Sequence, residues 1–354
     1  MKELSFTHGR MSFCSKTFEM SPSLPEKVES RIKMFFLAPH GVTEGGFIDF
    51  EDAAEKRGES GFVWIHVAGT LSDEFWKHLS DFMDLTDEQI KLIRGAHKRS
   101  FFDEFHNGIF WSLQRPSVSE VVDAIENVNF FMGNRVLVTR QFSHDTAFMM
   151  TVHKLMAEGE ALADLTVDRL VAELIEDVIA TYVEVLKIGG TRLEAIQSRI
   201  IKHPGKEELH LINGAQQIIW IFLNTVWPVE TVLLALSRSR NKMITEQGRN
   251  ELRYRFEEVS SVVRMFETYR SMSYSLMDVY VSGLGLRTNE TTMILTIIAT
   301  LFLPPTLIAG IYGMNFQIPE VHLEWGYYFC LVSMIVVSGG LLYWLKTRGF
   351  IDFD

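Results

Sequence analysis

The sequence predicts an α+β protein in which a soluble α/β domain leads, through long helices that form a stalk, to two transmembrane helices. Two runs without any charged side chain, residues 291–319 and 325–345, predict the membrane part, because a transmembrane helix needs about 20 mainly apolar residues. Short runs rich in β-branched and aromatic residues, mixed with amphipathic segments, predict the α/β part over residues 1–165.

These patterns divide the chain into consecutive segments. The α/β domain comes first, and a pair of antiparallel long helices and a stalk helix follow it. The predicted bounds are 1–165 for the α/β domain, 166–248 for the helix pair, 249–290 for the stalk, 291–312 for the first transmembrane helix, 313–324 for an outer loop, 325–345 for the second transmembrane helix and 346–354 for a tail.

Composition and charge exclude several classes of function. The chain of 354 residues has a formal net charge of −11, whereas nucleic-acid-binding domains usually present a basic face, so we expect no nucleic-acid partner. No P-loop, nucleophile elbow or paired-histidine metalloprotease spacing occurs. We therefore predict that the protein is not an enzyme and uses no organic cofactor. The N-terminus lacks the long apolar core of a signal peptide.

The α/β domain contains several short segments with strand character. A hairpin is expected where Gly133 and Asn134 separate two of them, since both residues tolerate the positive φ of a tight turn. His66 lies in the middle of the most apolar segment, where a hydrogen-bonded structural histidine is favoured over a metal ligand. The predicted strands are Met34–Leu37, Gly61–Val67, Gly108–Leu113, Asn127–Met132 and Arg135–Thr139.

Helical periodicity predicts two short helices and three long ones. Ser72 has the side chain of a helix N-cap, and His203-Pro204-Gly205 interrupts the helical pattern. We expect Gly189-Gly190 to weaken one long helix and Pro228 to kink the next. The predicted helices are Ser72–Met83, Thr86–Ile93, Thr166–Lys202, Lys206–Ser237 and Asn250–Tyr312.

The last predicted helix has a stripe of small, polar and apolar residues on one face. A helix of this length, on the order of 90 Å, is not stable alone and must pack against neighbours or copies. The stripe fits either a helix–helix packing seam, where small residues allow close approach, or the wall of a central pore, and spacing alone does not decide between them. Its members are Asp278, Val281, Gly285, Asn289, Thr292, Leu295 or Thr296, Ala299, Leu303, Thr306 and Gly310.

Charge on either side of the apolar runs predicts their orientation. The loop between the runs contains Glu320 and Glu324 but no Lys or Arg, whereas Lys346 and Arg348 follow the second run. By the positive-inside rule, the loop lies outside and both termini lie in the cytoplasm. We therefore predict an integral protein of the cell membrane with two spans in contact with lipid.

The segment from Thr288 to Phe316, TNETTMILTIIATLFLPPTLIAGIYGMNF, resembles the first membrane helix and signature of the CorA family of magnesium/cobalt transporters. The signature is Tyr312-Gly313-Met314-Asn315, and the loop sequence Ile318-Pro319-Glu320-Val321 is similar to the family's loop. This resemblance implies a homopentameric funnel with a central pore and Gly313, Met314 and Asn315 as its selectivity filter. It favours the pore interpretation of the stripe.

The pore residues then take separate roles along the path. Thr306 and Gly310 would continue a polar lining inward from the filter, while Leu295 and Leu303 would form apolar rings that close the path by dewetting. Asn289 and Asp278 would form polar rings near the cytoplasmic mouth.

The resemblance also implies gating by cytoplasmic Mg²⁺ bound between subunits. Alignment through Asn289 and Asp278 places Tyr254 at the position where the family has a metal-binding stalk acid. Glu257 and Glu258 lie close to it in sequence, and the partner acid would be Asp87 or Glu88. The regulatory metal site is therefore either rebuilt from these acids or replaced by another mode of gating.

Three functions stay open at this point. The first is transport of Mg²⁺, with Co²⁺ or Ni²⁺ as surrogates. The second is Zn²⁺ transport by the same fold, although zinc-transporting relatives often have Gly-Val-Asn where this chain has Met314. The third is a membrane-bound divalent-ion sensor or scaffold that does not conduct.

Overall fold

The computed structural model describes residues 31–38, 41–45, 50, 53–54, 61–118, 122–142, 148–157, 166–314 and 324–349. The chain forms two compact units. Unit 1 comprises Met1–Ile188 and Ile221–Phe266, and unit 2 comprises Gly189–Trp220 and Glu267–Asp354. The long helices contribute to both units, so the consecutive segments proposed above stay a prediction.

Unit 1 contains a seven-stranded mixed sheet with the strand order β2-β1-β3-β7-β6-β5-β4. The pairing between β3 and β7 is parallel, and the other strand pairs are antiparallel. All five predicted strands are confirmed, whereas β2 and β4 were not predicted. The strands are β1 Arg31–Ala38, β2 Gly41–Gly45, β3 Phe62–Ala68, β4 Phe101–Phe105, β5 Gly108–Val118, β6 Val122–Gly133 and β7 Val136–Gln141.

The predicted helices agree closely with those of the structure, and one short helix, α3, was not predicted. Ser72 accepts a hydrogen bond from the Phe75 amide at the start of α1. Thr86 and Gln89 form a capping box at the start of α2. The helices are α1 Asp73–Met83, α2 Asp87–Arg94, α3 Met149–Ala157, α4 Val167–Lys202, α5 Lys206–Arg238, α6 Glu246–Tyr312 and α7 Gly326–Thr347.

One face of the sheet packs against α1 and α2 and forms the main core of unit 1. Alternating residues of β3, such as Val63 and Ile65, point into this core and are fully buried. Phe75, Trp76 and Leu79 of α1 meet them from the helix side. Burial of large apolar side chains contributes about 1.5–3 kcal/mol each, so this layer holds the two short helices firmly on the sheet.

The opposite face of the sheet contains His66 within a group of aromatic rings. Its Nδ1 lies 2.8 Å from the hydroxyl oxygen of Thr139, which also accepts a hydrogen bond from Nε1 of Trp64 at 2.9 Å. The ring of Phe148 meets the imidazole edge-on, with the ring centroids 5.4 Å apart. The prediction of a hydrogen-bonded structural histidine is therefore confirmed.

The predicted hairpin between β6 and β7 is present, but the expected turn residues were wrong. Gly133 is the last residue of β6 and pairs with Val136, so the two-residue turn consists of Asn134 and Arg135. Arg135 has φ of 60° and therefore takes the left-handed conformation that we assigned to the Gly133-Asn134 pair. Gly133 pairs with Gly108 in the long β5–β6 ladder, so it belongs to the strand and the turn begins one residue later.

A buried carboxylate joins the start of α4 to the start of α6. Asp168 is 1% exposed, and it accepts hydrogen bonds of 2.7 Å from both the backbone amide and the hydroxyl of Thr245. Gly248 lies so close that a Cβ atom there would be 1.9 Å from Oδ2 of Asp168. This arrangement satisfies backbone donors that helix N-termini otherwise leave unpaired.

The glycine pair of α4 fits a packing role. α4 is continuous through Gly189 and Gly190, and a Cβ on Gly190 would lie 2.6 Å from the hydroxyl oxygen of Tyr269 on α6. The pair therefore leaves room for an aromatic ring within unit 2. α5 and α6 are likewise assigned as unbroken helices through their prolines, and a kink at Pro228 stays a prediction.

Three helices of the described chain are long and apolar enough to cross a membrane by length and composition. For α5, 44% of the most apolar window is buried inside the protein, against 0% for α6 and 6% for α7. An apolar helix that is buried needs no lipid, whereas an exposed one does. Burial therefore separates α5 from the two helices that coincide with the charge-free runs.

Candidate functional site

The predicted pore stripe is exposed along its whole length on α6. Its two leucines show this most clearly, since Leu295 is 67% exposed and Leu303 is 71% exposed. A Cβ on Gly310 would meet no other atom within 4 Å, so this face also has open space in front of it. The residues predicted to line the pore are all exposed: Asp278, Asn289, Leu295, Leu303, Thr306 and Gly310.

The opposite face of α6 is half-buried in unit 2. With about 100° of rotation per residue, this face lies roughly half a turn away from the pore stripe. α7 lies on this side, because the hydroxyl of Ser338 donates a 3.4 Å hydrogen bond to the carbonyl of Leu301. The half-buried residues are Ile297, Thr300, Leu301, Pro304, Pro305, Ile308 and Tyr312.

Before residue 291, a second face of α6 has exposed apolar residues at intervals of seven. Met272, Val279 and Leu286 are 41%, 36% and 67% exposed. Their direction differs from that of the pore stripe by about a third of a turn. A repeat of seven is the spacing with which helices pack in coiled coils, so before residue 291 the pore stripe and this series are two uncovered faces of α6.

The helix ends within the sequence signature. The amide of Gly313 donates to the carbonyl of Ala309 at 2.9 Å, and the amide of Met314 donates to the carbonyl of Ile311 at 3.2 Å. These bonds complete the last turn of α6 and leave Met314 51% exposed. Asn315, the third residue of the predicted filter, lies outside the described residues.

Two of the predicted regulatory acids lie on a firmly held helix. Asp87 and Glu88 are exposed in the first turn of α2, where carboxylates are favoured by the helix dipole. Gln89 next to them is 1% exposed, and its side-chain amide donates a 2.7 Å hydrogen bond to Asn107. Among the described residues, no group of three or more His, Cys, Asp or Glu has metal-binding geometry, so neither acid belongs to such a group there.

The C-terminus of α2 is capped by side chains of the sheet. The amide nitrogen of Asn129 donates to the carbonyls of Ile93 at 3.0 Å and of Gly95 at 2.7 Å. The guanidinium of Arg140 bonds to the Arg94 carbonyl, and burial, together with the charge of Arg94, lowers the pKa of Arg140 to about 10. Both ends of α2 are therefore fixed, which keeps Asp87 and Glu88 in place.

The acids proposed on α6 differ from one another in their partners. Glu258 forms an ion pair with Arg255 at 2.8 Å, whereas Glu257 is exposed. Tyr254 is 55% exposed, and its ring centroid lies 5.4 Å from the guanidinium carbon of Arg255. Sequence reasoning did not identify Arg255 as a functional residue, although it lies directly beside the position where an acid was expected.

Comparison with known proteins identifies the family of the protein. A family model described as a CorA-like Mg²⁺ transporter protein matches residues 59–347. The chain belongs to this family. The cobalt/magnesium transport protein CorA of Thermotoga maritima is 25% identical over 303 residues, which are 85% of this chain and 86% of that protein.

Archaeal CorA proteins are similar in both sequence and fold. The cobalt/magnesium transport protein CorA of Methanocaldococcus jannaschii is 23% identical over 293 residues, covering 82% of this chain and 91% of that protein. The complete structure of a CorA magnesium transporter from the same organism matches with a TM-score of 0.71 and 20% identity, covering 90% of this chain and 98% of that one. The CorA resemblance and the α+β fold class predicted from the sequence are thus confirmed.

Proposed function

We propose that this CorA family member transports divalent cations across a membrane, with Mg²⁺ as the main ion and Co²⁺ or Ni²⁺ as surrogates. The proposal rests mainly on the family match over residues 59–347. The exposed stripe of α6, opposite the face that meets α7, supplies the surface along which ions would pass. The named relatives are transport proteins for cobalt and magnesium, and we extend their activity to this chain.

The chemistry of Mg²⁺ fits the residue types on this face. Mg²⁺ prefers oxygen ligands in octahedral geometry and loses its water reluctantly, so a conducting path can offer oxygen atoms to the hydrated ion without binding it tightly. Asn315 and Thr306 would supply amide and hydroxyl oxygens at the outer end. Leu303 and Leu295 would form the narrow apolar part that gates by dewetting.

Two uncovered faces of α6 support a homopentamer around a central axis. In a ring of identical helices, one face points to the axis and a neighbouring face contacts the next subunit. The pore stripe and the apolar series of Met272, Val279 and Leu286 differ in direction by about a third of a turn, which suits this arrangement. We propose that the pore stripe faces the axis and that the apolar series packs against the adjacent copy.

For the membrane arrangement we propose two spans, α6 and α7, with lipid around α7 and both termini in the cytoplasm. The exposure of α7 and of the membrane part of α6 supports this assignment. α5 would remain in the aqueous part, because nearly half of its apolar window is already buried by protein. Lys346 lies in the last turn of α7 and Arg348 directly follows the helix, in agreement with a cytoplasmic C-terminus.

Gating by cytoplasmic Mg²⁺ would use the exposed acids Asp87, Glu88 and Glu257. Carboxylates on separate subunits can share one divalent ion, whose loss would loosen the ring. Glu258 is the least suitable member of the original set, because Arg255 already neutralises it.

The test is ion flux into liposomes that contain the purified full-length protein or Asn315→Ala. Uptake of Mg²⁺ that does not depend on a pH gradient and is lost in the variant supports the proposal. A matched pair of variants on α6 tests which face lines the pore. Thr306→Val on the pore stripe should reduce Mg²⁺ uptake several-fold, whereas Thr300→Val on the half-buried face should leave uptake near the wild-type rate. Equal effects of the two threonine variants would contradict the assignment of the pore face.

The same experiment separates the two alternatives. Uptake of Zn²⁺ that increases with a proton gradient, without Mg²⁺ uptake, would identify a zinc transporter of the same fold. Absence of flux for either ion, from protein shown to be a folded oligomer, would leave the non-conducting sensor or scaffold.

A further inference from the structure

A single buried cation joins α4 to the first part of α6 in unit 1. Arg255 is 7% exposed, and its Nε donates a 3.1 Å hydrogen bond to the carbonyl of Ala172. Its Nη1 bonds to Glu258 at 2.8 Å, and its Nη2 bonds to Glu176. Burial by itself lowers the pKa of Arg255, but the bonds and charges of Glu258 and Glu176 outweigh burial and raise this pKa.

The neighbouring acids of α4 also have partners from the chain itself. Glu173 forms an ion pair of 2.6 Å with Lys154 of α3. Asp177 accepts a 3.1 Å hydrogen bond from the backbone amide of Thr151. The acids Glu173, Glu176 and Asp177 of α4 therefore each have a hydrogen-bonding or ionic partner from the same chain.

We infer that Arg255 is a built-in cation that holds Glu176 of α4 and Glu258 of α6 together in place of a divalent metal ion, and that its removal creates a divalent-cation site. The two carboxylates reach one guanidinium from different helices, and Mg²⁺ is usually held by one or two carboxylates together with waters. Arginine stays protonated at any physiological pH, and a covalently attached cation does not dissociate when the cytoplasmic cation concentration falls.

A consequence for gating, which rests on the proposed function, concerns where Mg²⁺ can act. If Mg²⁺ controls the ring, it acts at contacts other than the α4–α6 contact within one subunit. The contact itself stays closed whether or not divalent ions are present.

The test compares variants of the purified full-length protein by thermal unfolding in EDTA and in millimolar Mg²⁺ or Mn²⁺. Arg255→Gln should unfold at a lower temperature in EDTA and should recover several degrees when the metal is added, a larger shift than the wild type shows. A triple variant that combines Arg255→Gln with Glu176→Gln and Glu258→Gln should lose this additional shift. The control is Arg249→Gln, because Arg249 bonds only to a backbone carbonyl of Ile244, at 2.8 Å, in the described structure.

Two results would overturn the inference. One is that added metal raises the melting temperature of Arg255→Gln by the same amount as that of the wild type, or by the same amount as that of the triple variant. The other comes from hydrogen exchange of the wild-type protein, which needs no variant: added Mg²⁺ should leave the amide protection of residues 170–178 on the α4 side of the contact unchanged, and an increase there would show that a metal ion closes this contact. Neither readout depends on transport, so failure of the flux assay and failure of this inference are distinguishable.

Discussion

Acidification should destabilise unit 1 through His66. The imidazole lies on β3 between the hydroxyl of Thr139 and the ring of Phe148. Burial, and then the positive charges of Lys33 and Arg115, lower the pKa of His66 from 6.5 to about 3. The folded protein therefore keeps this histidine neutral at pH values where the unfolded chain protonates it.

The sign and size of the effect follow from this pKa difference. Because the folded pKa is lower than the unfolded pKa, the contribution of His66 is fully present above pH 6.5 and is lost progressively as the pH falls from 6.5 to about 3. Each pH unit in this window removes about 1.4 kcal/mol. At about pH 5 the loss is about 2 kcal/mol, which for a domain of this size lowers the melting temperature by about 4–8 °C.

The assay is thermal unfolding of the full-length protein and of His66→Gln at about pH 7.5 and about pH 5. The variant cannot take up a proton at this position, so its melting temperature should fall less on acidification than that of the wild type, by about 4–8 °C. Parallel decreases in the two proteins would refute the reasoning, because they would show that other groups account for the whole pH dependence.

Three further changes test other parts of the structure. Leu303→Ser should increase Mg²⁺ flux at high internal Mg²⁺ in the liposome assay, since a hydroxyl in the apolar ring favours wetting; unchanged flux would speak against a gate at this residue. Gly190→Ala should reduce the free energy of unfolding by about 1–3 kcal/mol through overpacking and so lower the melting temperature. Adding Tyr269→Phe should restore much of this stability, because the clash is with the tyrosine hydroxyl. Asp168→Ala should cost about 3 kcal/mol by removing the charged acceptor of two Thr245 hydrogen bonds, whereas a loss of only a few tenths would contradict its role.

Elements with a local signal were predictable from the sequence. Ser72 and Thr86 mark the starts of α1 and α2 by their side chains alone, and both caps are formed. The interruption at 203–205 separates α4 from α5 as expected. Helical periodicity and capping depend on residues within one or two turns of each other, so they can be identified without knowledge of the tertiary structure.

Elements that depend on a distant partner were not predictable in the same way. The strand β2 has the sequence GVTEG and β4 has FFDEF, and neither has the apolar alternation of a typical strand. Both lie at the edges of the sheet and become strands by pairing with β1 and β5. Strand formation depends largely on such neighbours, which a local pattern does not reveal.

The same difference between local and distant signals applies to the candidate site. The pore stripe is visible in the sequence as a periodic set on one helix, and all of its members are exposed in the structure. The pairing of Arg255 with Glu176 joins residues that are far apart in sequence. Reasoning from the sequence therefore identified Glu258 as a metal ligand without detecting the arginine that neutralises it.

The exposed faces of α6 also bear on the choice between packing seam and pore wall. A seam needs a partner on the stripe, yet α7 meets the opposite face through Leu301 and Ser338. If the membrane begins at residue 291, as predicted, lipid does not cover the exposed series of Met272, Val279 and Leu286, and another protein surface would have to. If that surface is a second copy of α6, rotational symmetry directs a neighbouring face of every copy toward the common axis. The stripe with Asp278 and Asn289 is the neighbouring face, and its polar groups suit water and ions better than a tightly packed seam.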